Sequence, residues 1–488
     1  MPHRKTEMQV KPTPEKIDTT NHRDHLSNVT QTGKRIWLYP RIVKGLLYKY
    51  RTWFSWLLMA GLFAGPFLEW DGHPIFMFNV LERQFIFFGV PFWPQDFHLV
   101  ALGLITFMVF IVLFTVVFGR VWCGWACPQT IFMEMLFRKI ENWIEGDYKA
   151  QQRLDTMPWN SEKLLKKTSK HVLFFVLSFA IANTFLAYII GKKALLQLVE
   201  EGPVEHWGSL LALLIFTGVF YFVFARFREL VCIVVCPYGR LQGVLLDKKS
   251  IVVAYDYVRG EPRGHQKKGE ERALGDCIDC SLCVQVCPTG IDIRNGTQLE
   301  CVNCTACIDA CDEVMLKIDK PTGLVRYDSL EGIEEKTKLR FSTRIIGYAA
   351  VLTVLVGVLA TLLLFRTDLE ATLLRTPGLT YQEDKQQGTI SNLYNLELVN
   401  KTFKDMPIEI RLADKNLAAT AEIKPVGEPI HKLEANQMAK GSLFITMQAD
   451  KIQTNNTPIV LEIWSKGQKM DQVKTNFMAP MKPQSNTL

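Results

Sequence analysis

Charge is scarce in this sequence: 22% of its 488 residues are Asp, Glu, Lys or Arg, against 48% hydrophobic. That balance is too apolar for one ordinary soluble unit and predicts a multi-domain membrane protein. The net charge of +7 is modest. Nowhere do Lys and Arg gather densely enough to argue for nucleic acid, so none is expected as a partner. No cleavable signal peptide is evident, because the opening residues are polar and charged before any apolar run begins. The amino terminus is therefore expected to stay on its side of synthesis. Beyond Arg366 there is no cysteine at all, which excludes a disulfide scaffold for that tail.

The cysteines that are present are concentrated. Cys277 to Cys311 reads CIDCSLCVQVCPTGIDIRNGTQLECVNCTACIDAC, two near-copies of C-x-x-C-x-x-C-x-x-x-C. This is the bacterial run for two [4Fe-4S] clusters, in which three clustered cysteines hold one cube and the fourth reaches the other. The expected ligands are Cys277, Cys280, Cys283 and Cys311 for one cluster, and Cys301, Cys304, Cys307 and Cys287 for the second. Structural zinc is the alternative, but zinc needs only two C-x-x-C pairs and leaves the third cysteine of each run without a task. Pro288 follows the first run, and Asp312 stands in the equivalent place after the second. An acid there adds negative charge, which disfavours the reduced cube.

Five apolar runs approach the roughly 20 residues that cross a bilayer as helix: about Trp53 to Phe67, Phe97 to Phe118, Val172 to Ile190, Trp207 to Phe224 and Ile345 to Phe365. Gly61, Gly65 and Pro66 interrupt the first. A sixth stretch, Ile75 to Trp93, carries Glu82, Arg83 and prolines, and reads as a loop near the interface. Basic residues fix the expected orientation. Lys34, Arg35, Arg41, Lys44, Lys49 and Arg51 precede the first run. Arg138, Lys139, Lys149, Arg153, Lys163, Lys166, Lys167 and Lys170 lie between the second and third, and Lys336, Lys338, Arg340 and Arg344 precede the fifth. The intervening loops offer only Arg83, Lys192 and Lys193. The positive-inside rule then puts the amino terminus, the middle loop and the ferredoxin segment in the cytoplasm and the carboxyl tail outside, as in a multi-pass protein of a bacterial inner membrane. The expected segments are a cytoplasmic 1–50, a four-span membrane domain 51–250, a ferredoxin domain 251–335, a fifth membrane helix 336–370 and an outer domain 371–488.

The other four cysteines form a second repeat. Cys123 and Cys127 lie in RVWCGWACPQT, Cys232 and Cys236 in ELVCIVVCPYGR, each where an apolar run reaches the cytoplasmic edge. Cysteines four apart on a helix share a face, and two such pairs together make four thiolates. Buried cysteines that merely end a helix before proline are the plain alternative, but the doubling favours a site. Cu(I), a further cluster, zinc or a redox dithiol could occupy it, and spacing does not choose among them.

Other residues carry less. His73, His98, His171 and His206 lie near span ends without a repeated depth and read as interfacial anchors. Met438, Met447, Met470, Met478 and Met481 form no close M-x-x-M group and read as packing. From about Asn392 the tail offers strand-like runs, LYNLELVN, PIEIRLA, SLFITMQA, PIVLEIWS and KMDQVKTNFM. Their spacing predicts an immunoglobulin-like β-sandwich without its disulfide. It shows no catalytic constellation and reads as a docking module.

The CGWACPQT and VVCPYGR motifs, the CIDCSLCVQVCPTGI run, five spans and a carboxyl-terminal sandwich together resemble the FixG/CcoG/RdxA family of cytochrome c oxidase accessory proteins. The resemblance covers nearly the whole chain. It implies a membrane-bound polyferredoxin with two [4Fe-4S] clusters, acting in assembly of cbb(3)-type oxidase, with reduction of Cu(II) to Cu(I). Cys123, Cys127, Cys232 and Cys236 become the candidate copper-facing residues. Copper chaperones or oxidase assembly factors become the expected partners of the outer domain, and a homo-oligomer is compatible with it. Two other functions fit the same chemistry: a quinol-oxidising ferredoxin subunit feeding a periplasmic reductase, and a non-catalytic assembly scaffold with structural clusters.

Overall fold

A computed structural model describes residues 35–480, apart from 81–83, 203, 266–273, 337–342, 379, 385, 415–416, 418 and 453. Lys34, Glu82, Arg83, Lys338, Arg340 and Met481 lie outside the described residues. Two compact units divide the rest: one takes in residues up to Pro66, Leu102–Ala187 and Lys192–Val356, the other Phe67–Ala101, Tyr188–Gly191 and Gly357 onward.

Four helices are long and apolar enough to cross a membrane: Pro94–Phe118, Ser161–Glu201, Trp207–Phe227 and Thr343–Leu364. The second of them is broken at Gly191 (φ 80°), which is where the sequence reading ends its third span. The first expected span also forms a helix, Leu46–Ala64, but it carries Lys49 and a fully buried Arg51, 2% exposed. Its N-terminus has no side-chain cap of its own. Asp309 supplies one from far along the chain, accepting from the backbone N–H of Tyr48 at 2.7 Å and of Leu47 at 3.2 Å. A carboxylate at that position satisfies orphan donors and opposes the positive end of the helix dipole.

The ferredoxin domain is framed by two antiparallel strands, Val252–Tyr255 and Val325–Asp328, paired Val252 to Asp328. Two helices carry the later cysteines of the runs, Leu282–Gln285 with Cys283 and Ala306–Lys317 with Cys307 and Cys311. Val253, Tyr255, Ile291, Ile293, Ile308 and Leu324 make its core. Asp312, in the place of the second proline, accepts from the Gly323 N–H at 2.7 Å, so its charge is tied into the turn that leads to the second strand.

In the other unit the tail forms two facing sheets. One has the order Ala421–Val426, Met438–Gln448, Thr389–Asn400, Leu369–Arg375, and the other Glu409–Leu412, Asn456–Ser465, Gln468–Met478. Alternate residues turn inward, and Tyr394, Leu398, Ile445, Ile463 and Phe477 are completely buried between the sheets. The five runs read from the sequence are all strands. Leu369–Arg375 was not foreseen, because LEATLLR holds good helix formers and its pairing with Tyr394–Asn400 overrides them. Ala421–Val426 was hidden by Pro425, which the edge of a sheet tolerates. The stretch expected as a loop is instead a three-stranded meander, Phe76–Asn79, Gln84–Phe87 and Val90–Phe92. Phe88 and Gly89, both at positive φ (51° and 75°), supply the tight second turn. Edge-to-face pairs Phe78–Phe87 and Phe87–Phe92 hold the strands together. In the same unit Asp96 accepts from both Arg366 and Lys401 at 2.6 Å.

Candidate functional site

Both cysteine runs are wound by one device. Asp279 and Ser281 in the first (φ 54° each) recur in the second as Asn303 (φ 52°) and Thr305 (φ 68°). Asp and Asn visit this left-handed region readily, whereas a β-branched threonine does so only when its surroundings force it. Thr305 is 1% exposed. The windings turn the sulfurs inward onto two cavities. One is lined by Cys277, Cys280, Cys283 and Cys311 together with Arg294. The other is lined by Cys287, Cys301, Cys304 and Cys307, with Cys283 in the shared wall. The two cavities thus receive the two expected sets, including the exchange of the fourth cysteine between runs.

The donor chemistry suits an iron–sulfur core. Burial pushes the Cys283, Cys301 and Cys311 thiols up to about 12 and Cys304 to about 11. These sulfurs become thiolates only where strong positive charge, such as bound iron, offsets the loss of water. The spacing agrees. Among the described residues, which include all twelve cysteines, the single group of three ligand atoms mutually within 4.8 Å is Glu201, Glu205 and His206. Thiolates around one tetrahedral zinc lie roughly 3.8 Å apart. The cysteines are therefore spread for a larger inorganic core, and the zinc alternative does not fit.

The second repeat also assembles. Cys123 lies in the short helix Val121–Trp125, and Cys127 is the extended residue (φ −65°, ψ 124°) just before the helix opened by Pro128. Cys232 lies in the π-helical turn Val231–Val235, and Cys236 (φ −71°, ψ 112°) precedes Pro237. The expectation of two cysteines on one regular helix face is corrected here, because proline forces the preceding residue out of helical geometry. The four thiols nevertheless lie close enough to influence one another's charge. Burial pushes Cys232 up to about 12, with the neighbouring Cys127, Cys123 and Cys236 adding to the rise and Arg120 opposing it.

This four-thiol site abuts the second cluster cavity. A Cβ on Gly124 would lie 2.4 Å from the Val302 carbonyl oxygen, so only glycine permits the approach. Cys123 packs in one cluster with Val302, Cys304 and Cys307. Arg51 donates to the Gly124 carbonyl at 2.8 Å and locks the contact from the Leu46–Ala64 helix.

Several residues that the sequence reading missed hold the site. Arg120, 4% exposed, donates through Nε to Gln242 Oε1 at 2.6 Å and through Nη2 to the Gly239 carbonyl at 3.2 Å. Cys123 Sγ is 3.3 Å from the same Gln242 oxygen. Just before the second motif, Arg228 pairs with Glu141, which Lys170 also approaches at 3.3 Å, and Lys170 reaches Glu145 at 2.7 Å. Trp37 covers the guanidinium of Arg228 at 4.8 Å. The arginine beside each motif was the available signal. His171 is accounted for by a 2.8 Å hydrogen bond with Tyr221.

Fold and site together define a membrane-bound dicluster ferredoxin with an immunoglobulin-like carboxyl domain. Residues 227–330 match the 4Fe-4S dicluster domain, 100–148 a 4Fe-4S binding domain, and 359–480 the IG-like fold at the C-terminal of FixG. Protein RdxB of Cereibacter sphaeroides is 37% identical over 420 residues, 81% of this chain and 87% of that one. Protein RdxA of the same organism is 37% identical over 390 residues, covering 75% and 80%, and Nitrogen fixation protein FixG of Rhizobium meliloti is 36% identical over 310 residues, covering 61% and 58%. The chain belongs to the FixG/RdxA/RdxB family of iron–sulfur electron-transfer proteins.

Proposed function

We propose that the protein passes electrons from its two cubes to the membrane-edge cysteines and there reduces Cu(II) to Cu(I) for assembly of a cbb(3)-type oxidase. Cys277, Cys280, Cys283 and Cys311 ligate one cube, and Cys301, Cys304, Cys307 and Cys287 the other. The observation that carries the reading is the close seating of Gly124 on the Val302 carbonyl, 2.4 Å from a notional Cβ. It sets the four-thiol site against the loop that holds the second cube. Each Cu(II) takes one electron, and one reduced cube is oxidised by one electron. Oxidase copper centres and their thiolate or thioether carriers favour Cu(I), so cupric ion must be reduced before delivery.

Replacing Cys127 and Cys236 together by serine is expected to lower Cu(II) reduction at least tenfold while dithionite still reduces both cubes. Serine keeps the size of the side chain but is a poor partner for soft ions. Anaerobic stopped-flow assay with a Cu(I) chelator reads the outcome, and parental rates in the double variant would remove these cysteines from the electron path.

The orientation proposed is cytoplasmic for the ferredoxin domain and periplasmic for the immunoglobulin-like domain, which would meet copper chaperones or oxidase assembly factors. A reporter joined after Lys320 is expected to be active only in the cytoplasm and one joined after Leu488 only outside. Activity of both on one side would reverse the assignment of the last helix.

A further inference from the structure

A cavity of about 630 Å³ opens between the Ser161–Glu201 and Trp207–Phe227 helices, near the Ser161 end of the first. Trp159, Phe175 and Tyr221 give it aromatic walls, and Leu164, Val172 and Val176 make most of the rest apolar. Size and lining are those of a small-molecule site. Its polar groups are few. The Tyr221 hydroxyl is hydrogen-bonded to His171 Nδ1 at 2.8 Å, and the Tyr221 ring meets Phe175 and His171 edge-on, with centroids 6.1 Å apart in each case. His171 is exposed, and its Nε2 has no hydrogen-bond partner among the described residues.

An anionic lipid headgroup is the plain occupant for such a place, because four lysines lie along this stretch of helix. None of them is free to hold one. Lys163 donates to the Asp155 and Met157 carbonyls at 2.9 and 2.7 Å. Lys166 pairs with Glu162 at 2.7 Å, and Lys167 with Asp155 at 2.6 Å and Glu145 at 3.0 Å. Lys170 is buried against Glu145 at 2.7 Å. The lining therefore suits an uncharged molecule. Aromatic walls favour a planar ring, and the His171–Tyr221 pair offers that ring one proton acceptor and one phenol oxygen. Val172 and Val176, 55% and 56% exposed, line a way out into lipid for an apolar tail. The cavity is also tied to the redox machinery. Lys170, next to His171, reaches Glu141, which pairs with Arg228, four residues ahead of Cys232.

We propose that this cavity binds a lipid-soluble quinol and is where the protein takes in its electrons, with His171 as the proton acceptor. This rests on the reading that the cubes feed copper reduction, and it names the chemical class of their reductant. One quinol hydroxyl gives its proton to His171 Nε2, the other releases its proton to water, and loss of two electrons leaves the quinone. The two cubes take one electron each, and each passes it to one Cu(II).

The test is photolysis of a short-tailed azidoquinone on the full chain in lipid nanodiscs. Mass spectrometry is expected to place the label on the segment from Trp159 to Val176 or on Tyr221, displaced by unlabelled quinone and not by phosphatidylglycerol. Val176→Trp fills the cavity from its lipid side and should abolish labelling. His171→Gln keeps a partner for Tyr221 but cannot take a proton. Labelling should persist in it while bleaching of the cubes by menadiol slows roughly a hundredfold. Iron content and bleaching by dithionite should match the parent in both variants, which separates loss of the site from loss of the fold. Label placed elsewhere, labelling unaffected by Val176→Trp, or equal displacement by phosphatidylglycerol would overturn the inference, the last by making the groove a seat for ordinary lipid. Cubes reduced by menadiol in a protein that leaves Cu(II) untouched would overturn the copper reading and leave this site standing. Copper reduction by dithionite-loaded protein that menadiol fails to reduce would do the reverse.

Discussion

Cys304→Ala is expected to remove one cube, about four iron atoms, and to leave the cube proposed for Cys277, Cys280, Cys283 and Cys311 reducible. Cys304 is 8% exposed and packs with Val43, Val302 and Ala306. Alanine therefore deprives the core of a ligand and introduces no polar group. Three cysteines do not retain a cube as four do, and the energy of holding a structural metal centre is itself folding energy. The thermal transition of the ferredoxin domain should consequently fall as the iron is lost. The lost cube is the one against Gly124, so Cu(II) reduction is expected to fall at least tenfold although the remaining cube still accepts electrons from dithionite. Cys283→Ala should deplete the opposite cube. Equal iron content in Cys304→Ala and parent would refute the ligand assignment.

The second large effect concerns Glu141, which touches no cluster. It is 2% exposed and faces Arg228 and Lys170. Glu141→Gln leaves the buried Arg228 without its carboxylate, while Lys170 keeps Glu145 at 2.7 Å, a loss of about 3–5 kcal/mol. By contrast, the exposed pair Lys166–Glu162, with side chains 35% and 56% exposed, is screened by solvent and contributes little to stability. Detergent-phase thermal unfolding of Glu141→Gln and Glu162→Gln should separate them clearly. Acid offers a second readout. Burial alone raises the Glu141 carboxyl, but Arg228 and Lys170 outweigh it and hold it down at about 2. A folded-state value below the unfolded one gives stability that is complete above the ordinary carboxylate range of about 4.5 and is lost as pH falls toward about 2. Glu141→Gln should flatten that acid loss. An unaltered acid profile would show that the pair contributes little.

What was legible in the sequence was what is local. Eight cysteines in two runs carry their ligand logic in spacing alone, and the two cavities receive Cys311 and Cys287 in the exchanged places. The strands of the tail declared themselves by alternation, as in PIVLEIWS, where every second side chain is buried. Misreadings arose where distant pairing decides. The Phe76–Phe92 meander carries the prolines and charges of a loop, and only its cross-strand aromatic pairs make it a sheet. Arg120 reaches Gln242 across 122 positions and Arg228 reaches Glu141 across 87. No window of sequence shows those partners, although an arginine placed just ahead of each C-x-x-x-C-P motif hinted at them.

The cap that Asp309 places on the Leu46–Ala64 helix has a consequence for biogenesis. That helix is synthesised 261 residues ahead of the carboxylate that completes its N-terminus. Asp309 sits on the Ala306–Lys317 helix together with Cys307 and Cys311, so it reaches its post only when the second cysteine run has wound up. The cap of the Leu46–Ala64 helix is thus completed by the same event that closes the ferredoxin domain. A chain starved of iron would be left with that helix end uncapped.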